Sequence, residues 1–122
     1  PCALGATINS QTIPMMNCKI ITGGANNQLD DEDLHSKMLN DKGILYGPDF
    51  LVNSGGIINV YFEQQGNYNK AKVLEKTEDI YKMTSDVIKL AFLNQITTHQ
   101  AALNIAKKRI EDFSRVKSTT FK

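Results

Sequence analysis

Two short apolar runs, each closed by glycine, constrain this chain more than anything else in it. Lys19-Ile20-Ile21-Thr22 ends at Gly23-Gly24, and Ile44-Leu45-Tyr46 ends at Gly47-Pro48. Runs this short and continuously apolar predict buried strands of a parallel sheet covered on both faces. A helix must join them. Asp30 is placed to cap it, with Asp31, Glu32 and Asp33 in a first turn facing the positive end of the helix dipole. Leu34, Met38 and Leu39 supply its buried stripe, and Lys42-Gly43 stops it. Asn53-Ser54-Gly55-Gly56 opens another helix, Ile57 to about Gln65, ended by Gly66. The first half reads helix, strand, helix, strand, helix, which is half of a doubly wound α/β unit. Two parallel strands alone have bare edges and little core, so the sheet is expected to need strands beyond this sequence. The opening run Pro1-Cys2-Ala3-Leu4-Gly5 then reads as a loop leaving a preceding strand.

The second half is helical. Val73, Thr77, Ile80, Tyr81, Thr84, Val87, Ile88 and Ala91 recur at spacings of three and four between Lys70 and Leu93. Another helix starts at Thr97 or Thr98, with Gln100 placed for a capping box and a stripe of Ala102, Ile105, Ala106, Arg109, Ile110 and Phe113. Both helices are expected to pack on each other and on the sheet, and the tail from Ser118 is expected to fray. The Met15-Met16 pair reads as core packing.

Composition narrows the function classes. A chain of 122 residues with 41% apolar content is the size of one domain with a core. Its 14 basic and 13 acidic residues leave a formal charge of +1, which gives no electrostatic reason to expect nucleic acid or an anionic membrane as partner. Lys107-Lys108-Arg109 shares its stretch with Glu111 and Asp112 and reads as a solvated helix face. Cys2 and Cys18 form neither a CxxC pair nor a disulfide framework, so a reducing, cytoplasmic setting is the default. No apolar run approaches the roughly 20 residues needed to span a bilayer.

Three loops can carry chemistry: Pro1 to Gly5, Gly23 to Gln28, and Asn53 to Gly56. The last two follow the strands. In parallel order both lie at the carboxyl ends of the sheet, where open α/β sheets bind ligands. Glycine there admits a ligand close to the backbone, and asparagine offers a donor and acceptors to a carboxamide or a ribose hydroxyl. Gly and Asn are also ordinary turn formers, so one such loop alone reads first as a turn, and only two at one end of one sheet bring the functional reading level with it. There is no GxGxxG and no P-loop, hence no phosphate cradle. His35 and His99 belong to no HExxH and read as surface or partly packed residues, so no metal is expected. Cys2 has no basic neighbours and reads as a packing or loop residue, not a nucleophile.

Four segments come in a characteristic order and spacing: Pro1-Cys2-Ala3-Leu4-Gly5-Ala6, Gly24-Ala25-Asn26-Asn27-Gln28-Leu29, Gly43-Ile44-Leu45-Tyr46-Gly47-Pro48-Asp49-Phe50, and Val52-Asn53-Ser54-Gly55-Gly56-Ile57-Ile58-Asn59-Val60. Together they resemble the glutamate/leucine/phenylalanine/valine dehydrogenases; within that family Ala25 to Leu29 look like the leucine and valine branches, and Ile58-Asn59-Val60 followed by an acidic helix and Gly66-Asn67-Tyr68-Asn69 look most like the leucine branch. The resemblance implies the second half of a Rossmann-like NAD-binding domain followed by C-terminal helices. Residues 1–66 would form the nicotinamide side and 67–122 the helical segment. It implies NAD-dependent oxidative deamination of a branched-chain L-amino acid to its 2-oxo acid in a homo-oligomer. Cys2, Ala3, Asn26 and Asn53 would line the cofactor, and Asn26, Ile57 and Val60 the substrate pocket. The catalytic lysines and aspartate of such enzymes, and their glycine-rich loop, match nothing here. The chain alone is therefore expected to be an inactive fragment with no catalytic residue of its own. The competing readings are a phenylalanine or valine dehydrogenase of the same family, a non-catalytic helical self-association module, and a small stand-alone nucleotide binder.

Overall fold

The computed structural model describes residues 1, 2 and 4–119. A two-stranded parallel sheet lies at its centre: β1, Ile20–Ile21, pairs with β2, Leu45–Tyr46, with Ile20 opposite Leu45 and Ile21 opposite Tyr46. Helix α1, Glu32–Asp41, makes the crossover between them. A further parallel bridge, absent from the sequence reading, joins Ile8 to Leu29 beside the sheet. Ile8, Ile13, Ile21, Leu29, Leu39, Ile44 and Tyr46 form the core under this sheet, with Met16 and Met38 packed against it.

Several expectations are corrected. No α-helix precedes β1 among the described residues. The Asn9 side chain accepts from the amides of Gln11 and Thr12, and Pro14 brings no N–H, so the chain makes only a 3-10 turn at Ile13–Met15. Met15 is exposed there. Asp31, not Asp30, caps α1: its Oδ1 accepts from the Leu34 amide at 2.8 Å. The cap sets the helix phase, so the buried face carries His35, Ser36 and Leu39 while Leu34 is exposed. Cover is uneven: in β1 Ile21 is buried and Ile20 is 62% exposed, whereas in β2 Tyr46 is buried and Leu45 half-buried. Gly43, at φ +72°, ends α1 as read, and Lys42 Nζ folds back onto the carbonyls of Ile13 and Pro14.

After β2 the chain makes a short helix that the sequence reading missed, α2, Asp49–Val52. Helix α3, Gly55–Gln64, starts two residues earlier than expected, and Gly66 at φ +81° follows its end. Helix α4, Lys70–Asn94, is capped by the Asn69 side chain. It packs on α2, α3 and the last helix, α5, Thr98–Thr119. Thr97 accepts from the Gln100 amide, but the Gln100 side chain turns to Asn104, so only half of the capping box forms. Val87, Ala91, Ala101 and Ala102 build a second core between α4 and α5. Beyond Ala102 the α5 stripe comes to the surface: Arg109, Ile110 and Phe113 are exposed, as is Tyr81 on α4. Ser118 and Thr119 are helical, not frayed, and the rest of the tail lies outside the described residues. No helix among the described residues is long and apolar enough to cross a membrane.

Candidate functional site

The two loops leaving the carboxyl ends of β1 and β2 meet. Asn53 Nδ2 donates to Asn26 Oδ1 at 2.7 Å and approaches the Ala25 carbonyl at 3.4 Å. That contact consumes the donor of one amide and the acceptor of the other. Asn26 Nδ2 and Asn53 Oδ1 carry no hydrogen bond among the described residues. A free donor and a free acceptor thus stand on neighbouring side chains. A carboxamide, which brings one acceptor and one donor, matches that pair. Gly24 faces open space, so nothing among the described residues blocks approach to the backbone there.

The first loop joins the same cluster. The Ala25 amide donates to the Pro1 carbonyl at 3.1 Å, and the Ala6 amide to the Asn27 carbonyl at 2.7 Å. A Cβ on Gly23 would collide with the Pro1 backbone, so only glycine lets the two segments lie this close. Cys2 is exposed beside this crossing, and Ala3 lies outside the described residues. The structure therefore brings Cys2, Asn26 and Asn53 to one end of the sheet. Ile57 and Val60 occupy exposed positions on α3, whose first residue follows Ser54 directly. Ile57 also lines an apolar groove with Ile58, Tyr61 and Phe62, of which Val60 is not part.

What holds the loops in place was not legible as function in the sequence. Gln28 is completely buried. Its Nε2 donates to the carbonyls of Gly23 and Ala25, both at 2.8 Å, and its amide donates to Asp49 Oδ2 at 3.1 Å. Asp49, also buried, accepts from the Phe50 amide with Oδ1, and its carbonyl accepts from the Asn53 amide. Among the described residues no donor meets the buried Gln28 Oε1. The only sequence signal was Pro48-Asp49, a proline followed by an acid at the start of a helix too short to show periodicity.

Both histidines are buried, against the surface reading. His35 Nδ1 accepts from the Asp31 amide, and Nε2 pairs with Ser10 Oγ at 2.9 Å, so it fastens α1 to the N-terminal segment. The ring of His99 meets Phe50 edge-on at 5.6 Å. Its buried Nε2 makes no hydrogen bond and lies 3.4 Å from the exposed Glu32 carboxylate. Burial pushes the Tyr46 phenol up to about 12, with the Asp49 carboxylate adding to the shift. The Tyr46 carbonyl accepts from Thr98 Oγ1 at 2.6 Å, which ties α5 to β2.

Comparison with known proteins shows the family. The family model for Glutamate/Leucine/Phenylalanine/Valine dehydrogenase matches residues 1–120. L-tryptophan dehydrogenase of Nostoc punctiforme is 47% identical over 97% of this chain and 33% of its own length. Leucine dehydrogenase of Thermoactinomyces intermedius is 45% identical over 98% of this chain and 32% of its own length. The chain thus spans about a third of the length of these relatives. The crystal structure of the Nostoc punctiforme enzyme superposes with a TM-score of 0.89 at 46% identity, covering 94% of this chain and 34% of that one. The glutamate dehydrogenase structure from Peptoniphilus asaccharolyticus gives 0.79 at 31%, covering 96% and 31%. On this match the chain belongs to the glutamate/leucine/phenylalanine/valine dehydrogenase family.

Proposed function

We propose that this chain supplies the nicotinamide side of the NAD site in an amino-acid dehydrogenase that oxidatively deaminates a branched-chain L-amino acid, leucine foremost, to its 2-oxo acid and ammonia. The observation that carries the reading is the Asn26–Asn53 pair at the carboxyl ends of two parallel strands. Asn53 and Asn26 would hold the nicotinamide carboxamide and its ribose, with Cys2 and Ala3 along the ribose edge. NAD, when bound, accepts the hydride from the substrate Cα. The residues of this chain bind and orient; none of them is assigned a proton transfer. The leucine preference rests on Ile57 and Val60, two aliphatic side chains three apart on α3. One methylene in such a pocket is worth only about 1–3 kcal/mol, so isoleucine and valine would be accepted too. Relatives named for leucine and for tryptophan are of nearly equal identity, which leaves the side-chain preference to these residues. We place the enzyme in the cytoplasm as a homo-oligomer.

A chimera tests this directly. In it, the chain replaces the matching third of the Thermoactinomyces intermedius leucine dehydrogenase. NADH formation should depend on L-leucine, and the 122-residue chain alone should give none. Asn53→Ala should raise the KM for NAD by about tenfold, the loss of roughly one hydrogen-bonded contact. A chimera that prefers L-glutamate or L-tryptophan sinks the substrate reading. An unchanged KM for NAD in Asn53→Ala sinks the site.

A further inference from the structure

We propose that Gln28 and Asp49 are positioning residues, a buried clamp that sets the spacing of Asn26 and Asn53. The role assigned to the asparagine pair rests on the reading above; the clamp itself rests on geometry.

Five bonds define it. Gln28 Nε2 gathers the carbonyls of Gly23 and Ala25, the residues just ahead of Asn26. Gln28 N crosses to Asp49 Oδ2 on the other loop. The Asp49 carbonyl takes the Asn53 amide at 3.1 Å. Asn53 Nδ2 then reaches the same Ala25 carbonyl that Gln28 holds. The circuit closes through Asn26, so the two loops cannot separate without breaking a bond of this circuit. The two donors on Nε2 fix the amide's orientation, because the reverse orientation would set its oxygen against two carbonyl oxygens.

Among the described residues the buried Oε1 has no donor, so its removal breaks no hydrogen bond. Replacing Gln28 with methionine removes two hydrogen bonds and also removes that oxygen, with shape nearly kept. Stability should therefore change little while the carbonyls of Gly23 and Ala25 lose their common anchor.

The test uses the chimera described above, isotope-labelled at asparagine, and reads the side-chain amide resonances of Asn26 and Asn53, first without ligand and then during titration with NADH. In Gln28→Met the two resonances should move toward exposed, averaged positions before any ligand is added, and NADH binding should weaken by about tenfold. The melting temperature should stay within a few degrees, as for an ordinary mild substitution. Asp49→Asn, which keeps one acceptor, should move the same resonances less. Val87→Ala, which loosens the α4–α5 core, should leave them in place. Unmoved asparagine resonances in both clamp variants would overturn the proposal. So would failure of both variants to fold, since a clamp that the whole fold needs is a support and not a positioning device. If the chimera carrying the unsubstituted chain shows no response to NADH at Asn26 or Asn53, the cofactor reading fails, while the ligand-free spectra still decide the clamp.

Discussion

The strand-and-loop half and the helical half of this molecule are held together by different means. In the first, polar bonds link residues far apart in sequence: Gln28 to Asp49, Asn53 to Asn26, His35 to Ser10. They surround a core of large aliphatic side chains. In the second, α4 and α5 meet through small residues, Val87, Ala91, Ala101 and Ala102, and then present Ile110 and Phe113 to the surface. A helix pair adjusts by sliding along such an interface, whereas a hydrogen-bonded loop pair has one arrangement. The half that must present two side chains at fixed spacing is the half with directional bonds.

If that contrast is right, the largest stability effect should come from the first core. Leu39 is completely buried, on the face of α1 turned to the sheet. Leu39→Ala should cost about 2–5 kcal/mol, read as a lowered midpoint in denaturant unfolding. A loss below about 1 kcal/mol would mean that the site half collapses around the hole and is as adaptable as the helices.

The next effect is set by pH. Tyr46 keeps its proton up to about 12 when folded, against 10.0 for the free side chain. The unfolded chain releases this proton first as pH rises, so the stability contribution is complete below about 10 and is lost between about 10 and 12. Its size is at most about 3 kcal/mol. Tyr46→Phe should flatten that part of the stability–pH curve. An unchanged slope would show that the phenol is not the group titrating.

A third, smaller effect probes the joint between the halves. Thr98→Val removes the bond to the Tyr46 carbonyl while keeping the shape, and should cost about 1–2 kcal/mol. Hydrogen exchange should then rise at the first turn of α5 more than in α1. Equal rises would mean that the halves open as one unit.

The sequence made some of this legible and hid the rest for physical reasons. The strands were visible because Ile20-Ile21 and Ile44 to Tyr46 end at glycine, and the long helices because their apolar residues recur at three and four. The asparagine loops were visible because each follows a strand. Gln28, Asp49, His35 and His99 were not. Each is polar and sits in a loop or an acidic or polar turn, so composition reads them as solvated. Their burial depends on partners 21 to 25 residues away for Gln28 and His35, and on a ring from α2 for His99. The distal stripe of α5 failed in the opposite sense. Periodicity gives a helix an apolar face without saying what covers it.

That stripe supplies the smallest expected effect and the sharpest limit on the comparison. Ile110 is 68% exposed at the edge of a groove between α4 and α5 that also includes Met83 and Arg109. With little surface removed from water there, Ile110→Ala should change stability by less than about 0.5 kcal/mol. The measurement is the unfolding midpoint at two protein concentrations at least tenfold apart. A small loss at both leaves the helical half as described, loosely packed and open at its far end. A loss of a kilocalorie or more that grows with concentration would show Ile110 covered by another copy of the chain. The helical half would then take its order from assembly, and the contrast with the loop half would be one of partners and not of packing.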